Sequence, residues 1–347
     1  MSHTEHPDPR SSEQPSQPAA QPPQPAEQAL AQAPEPPQEP ATEQADTQQA
    51  NESAPTPAQE APGQQPAIPP YPHPHATYVA FDTSPYRVAP GEPFHLRDRA
   101  KKDDGGLEKE DAQDAFQALS HRLVELQENL YAEQKRSLLV VMQAMDAGGK
   151  DSTLKAVFGP VDPAGCKVKS FKKPNDNELA HDYLWRIHNA LPKRGYIGVF
   201  NRSHYEDAVT VAVKDLVPKE IWSNRVRHIN QFERMLTDEG TVIVKFFLHI
   251  SKGYQKERLQ RRLDRPDKHW KFNVADLEER ARWKQYQNRY SKVMRKTSRE
   301  HAPWYVVPAE RRWFRNLLIT KVLVDTLEQM NPQPPVADFD PASIVIE

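Results

Sequence analysis

Cysteine is almost missing from this 347-residue chain: Cys166 stands alone. No internal disulfide framework can form, and histidines scattered without a second cysteine make no thiolate zinc site. No apolar run approaches the ~18 residues of a membrane span, and the start Met1-Ser2-His3-Thr4-Glu5 lacks the basic-then-apolar order of a secretory signal. A soluble, cytoplasmic protein of a reducing compartment is expected. No internal repeat is found.

Basic residues are missing from the N-terminal part. Residues 1–74 hold 19 of the 34 prolines and ten acidic side chains, but one basic one, Arg10. That stretch carries −9 and the remainder +7, which the overall −2 conceals. Pro, Gln and Ala bury too little apolar surface to offset the entropy of ordering, so residues 1–85 read as a disordered acidic tail and linker. The body, 86–347, is large enough for a full core and favours anionic partners, polyanions included. Within it, residues 85–100 mix Pro and Gly with Tyr86, Val88, Phe94 and Leu96, the pattern of an extended arm lying on the body.

Apolar residues at three- and four-residue spacing predict a helix over 107–136. Short apolar runs at 138–142, 166–171, 196–200, 241–248 and 304–307 read as buried parallel strands. Helical patterns at 150–158, 177–191, 220–236 and 277–296 fall between or after them, and one at 311–330 closes the chain. This alternation predicts an α/β fold, a parallel sheet covered by helices on both faces.

The strongest chemical signal is Ala144-Met145-Asp146-Ala147-Gly148-Gly149-Lys150-Asp151-Ser152, between a predicted strand and a predicted helix. It approximates the phosphate-cradling pattern G-x-x-x-x-G-K-[ST], with Ala144 in place of the first Gly and Asp151 at the hydroxyl position. The physical requirements remain: Gly148 and Gly149 let N–H groups turn toward an anion, a helix N-terminus adds positive potential, and Lys150 supplies a point charge. A plain strand-to-helix turn leaves the flanking Asp146 and Asp151 unexplained.

A second segment, Asn201-Arg202-Ser203-His204-Tyr205-Glu206-Asp207, starts where a parallel strand ends, the edge at which such sheets bind ligands. Asp207 or Glu206 can hold Mg2+ and Arg202 can fork onto phosphate oxygens; taken alone, the segment reads equally as a capped polar loop. A third, residues 256–271, puts Arg258, Arg261 and Arg262 on one helix face, which is either a phosphate clamp or a solvated surface. Lys167, Lys169, Lys172 and Lys173 form a candidate path for a long polyanion. The histidines show no metal spacing, no serine sits in a nucleophile setting, and the tryptophans read as core anchors apart from one near the third segment.

Together, LLVVMQAMDAGGKDST, GVFNRSHYEDAV, DKHWKF and EHAPWYVVPAERRWFRN resemble the polyphosphate kinase 2 family, and within it the class III subgroup, over about 85–330. The resemblance implies a P-loop kinase fold with a helical lid, here about 252–273, that moves phosphate from inorganic polyphosphate to nucleoside mono- and diphosphates. AMP to ADP and ADP to ATP are the typical reactions. It places Lys150 and the backbone of Asp146, Ala147, Gly148 and Gly149 on acceptor phosphate, with Asp151, Ser152 and Asn201 around it. Asp146 and Asp207 would position Mg2+, with Mn2+ as a substitute. Arg202, Lys155, Lys172, Lys173 and Arg261 would meet polyphosphate, and Arg258 or Arg262 would act from the lid. Gly148, commonly Ala in that family's loop, would loosen the turn. The resemblance further implies a homo-oligomer. An ATP-dependent nucleoside monophosphate kinase and a non-catalytic polyanion-binding module are the competing functions; neither a membrane nor a specific nucleic acid is expected as partner.

Overall fold

The computed structural model describes residues 81–336 and a few positions beyond, so the acidic stretch read as a tail lies, up to residue 80, outside the described residues. Packing begins ahead of residue 86: the Phe81 ring lies 5.8 Å from that of Phe314. The arm follows as expected. Tyr86, Val88, Phe94 and Leu96 are all buried, and the Val88 N–H donates to the Trp304 carbonyl.

Five parallel strands make one sheet: β1 (Ser137–Ala144), β2 (Cys166–Ser170), β3 (Ile197–Asn201), β4 (Thr241–His249) and β5 (Trp304–Pro308), in the order β2-β3-β1-β4-β5. In β1 every residue is buried, as befits the centre of a sheet with both faces covered. Leu138, Val140 and Met142 point to one side, where helices α1 (Lys109–Glu133), α2 (Lys150–Phe158) and α10 (Arg312–Met330) contribute the core. Leu139 and Val141 point to the other. There α5 (Glu206–Val213), α6 (Lys219–Asp238) and α9 (Trp283–Thr297) pack. From β1 the chain crosses to β2 at one edge, returns through β3 and then passes to β4 on the other side of β1, so the direction of winding reverses and a crevice opens beyond the carboxyl ends of β1 and β3.

Two helical expectations fail in part. Residues 177–191 hold two separate turns, α3 (Asp176–Leu179) and α4 (Trp185–His188). A capping box at Asn175 starts the first, and Asp182 Oδ1 accepts the Leu184 N–H ahead of the second; these side-chain bonds compete with a continuous helix. Residues 277–296 break at Arg282, which separates α8 (Ala275–Ala281) from α9 while its guanidinium donates to the Val213 carbonyl at 2.8 Å. Between β4 and α8, α7 (Lys252–Leu263) and a 3-10 turn at Pro266–Lys271 form a helical excursion. Ser251 caps α7 by accepting the Tyr254 N–H. Among the described residues no helix is long and apolar enough to cross a membrane.

Candidate active site

The segment between β1 and α2 folds as an anion nest. Ala147 (φ 59°) and Gly149 (φ 99°) adopt left-handed backbone around Gly148, an alternation that turns successive N–H groups the same way. The N–H groups of the first turn of α2 have no intrahelical acceptor. At Gly148, read from the sequence as a departure that loosens this turn, the loop leaves no room for a side chain. A Cβ there would lie 2.7 Å from the Met145 carbonyl oxygen and 2.8 Å from the Ala144 Cβ, so glycine permits the close approach. Lys150 opens α2, and among the described residues its ammonium donates only to the Ala144 carbonyl, at 3.3 Å. Burial pushes that ammonium's pKa down, and Arg202 beside it acts the same way, against Asp146, Glu206 and Asp151.

β3 delivers the opposing wall. Arg202, left-handed at φ 63°, is fixed by its N–H to the Met142 carbonyl and donates to Asp146 Oδ1 at 3.0 Å. Asn201 donates to Asp151 Oδ1 at 3.0 Å and to Ser170 Oγ at 3.2 Å, tying β2, β3 and α2 together. The two segments singled out in the sequence therefore meet in one cleft of about 760 Å³, closed on its far side by α7 and the 3-10 turn.

The cleft is strongly cationic: ten lysines and arginines line it against three carboxylates, Asp146, Asp151 and Asp276. Ala147, Gly148, Gly149, Ser152, Asn201, Lys172 and all three expected arginines, Arg258, Arg261 and Arg262, are on its wall. Arg262 is pinned by Asp276 at 3.3 Å and by the Lys271 carbonyl, whereas Arg258 and Arg261 meet no carboxylate among the described residues. Lys155 and Lys173 are exposed outside the lining, as are Lys167 and Lys169 on β2. Trp270 is the exceptional tryptophan: it is 77% exposed on the cleft rim, while Trp304 is buried and Trp283 and Trp313 pack against the core.

Asp207 lies elsewhere. In the first turn of α5 it turns away from the cleft lining into a buried bracket between Arg186 (3.5 Å) and Arg225 (3.7 Å). Burial raises its pKa against the pull of those two arginines. The helical phase of α5 instead brings its neighbour Glu206 toward the site. The Glu206 carboxylate acts on both Lys150 and Arg202, and Gln143, in the orientation that satisfies its amide, donates to Glu206 Oε1 at 2.9 Å.

Sequence reasoning missed the braces. Gln255, wholly buried on α7, donates to the Asp146 carbonyl at 2.9 Å and accepts from Arg280 at 3.0 Å, so α7 and α8 hold the loop from above. Arg312, at the start of α10, joins the cleft wall from a remote part of the chain. Behind the second segment, Glu233 accepts from Tyr205 at 2.7 Å and from Lys245 at 2.5 Å and faces His204 Nε2 at 3.3 Å, all buried. Burial pushes Glu233 up, but Lys245 and His204 together hold it below the usual carboxylate range. No signal in the sequence separates these residues from others of their type.

A hard divalent cation fits the donor set. Arg202 occupies Oδ1 of Asp146, no donor among the described residues is bonded to Oδ2, and every candidate ligand on the wall is an oxygen. No cluster of three or more ligating side chains exists among the described residues. This suits an ion held mostly by water and phosphate oxygens rather than by a dedicated cage.

Comparison with known proteins agrees with this geometry. Residues 106–335 match the family Polyphosphate kinase 2 (PPK2). The chain is 52% identical over 264 residues to an AMP/ADP-polyphosphate phosphotransferase of Meiothermus ruber, covering 76% of this chain and 99% of that one. It is 42% identical over 270 residues to an ADP-polyphosphate phosphotransferase of Rhodopseudomonas palustris, covering 74% and 93%. The crystal structure of polyphosphate kinase 2 from Arthrobacter aurescens TC1 superposes with a TM-score of 0.73 at 41% identity, covering 77% of this chain and 95% of that one.

Proposed function

The chain belongs to the polyphosphate kinase 2 family, and from that premise we propose that it transfers phosphate from inorganic polyphosphate to AMP and to ADP, forming ATP in two steps. The observation that carries this reading is the cleft itself, a phosphate-loop nest continuous with a wall of ten cations, too many for one nucleotide and suited to an extended polyanion.

Phosphoryl transfer asks for positioning and charge stabilisation more than for covalent help. The nest and Lys150 hold one phosphate group; a phosphate oxygen replaces the long bond from Lys150 to the Ala144 carbonyl. Arg202 stands across the cleft, held at its backbone and by Asp146, and presents its remaining N–H groups to the transferred group. Arg258, Arg261 and Arg312 meet no carboxylate among the described residues and spread the negative charge of the donor. Arg262, pinned to Asp276, fixes the excursion from α7 through residue 273, which we assign as the lid. Asp146 is the residue that would hold the divalent cation, magnesium or in its place manganese, and Glu206 is the nearer carboxylate of the second segment. When bound, that cation neutralises phosphate charge during an in-line transfer. An attacking nucleotide phosphate, with its second pKa near ~6, is already anionic at neutral pH, so no strong general base is needed. Chemistry resides in the body, and residues 1–80 are dispensable for turnover.

The test is product formation from AMP and inorganic polyphosphate with Mg2+, beside a metal-free sample, a sample with ATP as donor and a chain lacking residues 1–80. ATP that appears with polyphosphate and metal, with or without residues 1–80, is the expected result. ADP alone narrows the activity to the first step. Transfer from ATP but not from polyphosphate overturns the donor assignment.

A further inference from the structure

We propose that Arg315 is a positioning residue of the phosphate loop, a fixed counter-charge beneath Gly149 that the protein leaves unbalanced and that a bound phosphoryl group balances. This rests on reading the cleft as a phosphoryl-transfer site. Arg315 sits in the first turn of α10 and is only 2% exposed. Its Nη1 abuts the loop so closely that a Cβ on Gly149 would lie 2.6 Å from it. Its Nε and Nη2 both donate to the same neutral acceptor, Asn316 Oδ1, at 3.1 and 2.9 Å.

No carboxylate pairs with this guanidinium among the described residues. The groups that act on it are Tyr254, Arg312 and Arg258, two of them cations. Elsewhere the fold supplies buried cations with acids: Arg186 has Glu178 and Asp207, and Lys245 has Glu233. A buried charge without a partner destabilises a fold, and it persists where a ligand supplies the opposite sign. Burial pushes the Arg315 guanidinium down only to about 10, so it keeps its charge at neutral pH. The anion nest lies directly across Gly149, the residue whose missing side chain and φ of 99° allow this contact. Arg315 thus acts through the loop, setting its position and its potential.

A residue that merely spaced α10 from the loop would stabilise the protein equally with and without ligand. A counter-charge awaiting an anion does the opposite in the two states. Thermal unfolding of the full chain is therefore compared for wild type, Arg315→Met and Arg315→Lys, each alone and with inorganic tripolyphosphate or AMP, at fixed ionic strength. The Met variant is expected to melt no lower than wild type when alone, yet to lose more than half of the anion-induced rise in Tm. Its KM for the phosphorylated substrates should rise roughly 10-fold, and the Lys variant should recover part of both effects.

A Met variant that melts lower alone and keeps the full anion-induced rise overturns the proposal. Should it not fold, the Lys variant, which keeps the charge but not the planar fork, is read by the same two temperatures. Wild type stabilised by AMP but not by tripolyphosphate would refute the polyphosphate donor and leave the Arg315 comparison readable with AMP. Wild type stabilised by neither overturns the proposal.

Discussion

Two lysines, Lys245 fully buried and Lys150 half-buried, stand on opposite sides of the second segment and behave differently. Lys245 lies in a dry network where Glu233, Tyr205 and the Thr297 carbonyl accept all of its donors at 2.5 to 2.9 Å. Lys150 faces the cleft with a single long bond to a backbone carbonyl. In the first region the protein completes its own charges, and the result is rigidity: His204 and Tyr205 are locked and with them the chain leaving β3. In the second the charges are left incomplete, and on the proposed function that deficit is the binding capacity. On that proposal a paired charge marks structure here and an unpaired one marks function, a distinction that residue type alone does not make.

Removing one partner from the dry network should have the largest effect. Lys245→Met leaves the buried Glu233 without its ammonium partner, with only Tyr205 and His204 beside it, and should cost about 3–5 kcal/mol in urea unfolding. The double variant Lys245→Met/Glu233→Gln should recover a substantial part of it, and strictly additive losses would show that the pair is not coupled. On the cleft side, Lys150→Ala should lower turnover by roughly 100- to 1,000-fold with an unchanged unfolding midpoint. A Tm loss matching that of the Lys245 variant would erase the contrast between the two regions.

His249 sharpens the comparison by a third route, since it is buried, faces the Ala100 carbonyl at 3.2 Å through Nδ1, and has no acid in hydrogen-bond contact among the described residues. Burial, aided by Lys101, pushes its pKa down to about 4. Between that value and the ordinary 6.5 the unfolded chain binds a proton that the native state does not. The stability present above pH 6.5 is then lost as pH falls toward 4, by on the order of 3 kcal/mol. His249→Gln should flatten that limb of the stability profile, and an unaltered profile would assign the acid sensitivity to carboxylates.

The smallest effect is expected at Asp207. Asp207→Asn should weaken the bracket of Arg186 and Arg225 by about 1–3 kcal/mol while leaving the metal titration of activity unchanged. A raised metal requirement would return Asp207 to the cleft.

Much of this was legible in the sequence. Four of the five strands stand out as apolar runs because both faces of the sheet are covered there. At the sheet edge, β2 alternates with Lys167 and Lys169 and is exposed rather than buried as the sequence suggested. The phosphate loop follows from Gly148, Gly149 and Lys150 between a strand and a helix. The breaks at 180–184 and at Arg282 were not legible, because side chains of Asn175 and Asp182 and a carbonyl at Val213 decide them. Asp207 and Glu206 are adjacent carboxylates of equal chemical promise, and only the phase of α5 turns one toward Arg186 and the other toward Lys150. Gln255, Arg312 and Arg315 reach the loop from positions more than a hundred residues away.

By itself, then, the sequence determined the alternation of strands and helices, the composition of the N-terminal stretch and the site of the phosphate loop, all of which rest on local spacing and backbone geometry. Only the tertiary structure decided which charges are neutralised and which remain open, because pairing depends on distance and burial between elements far apart in the chain.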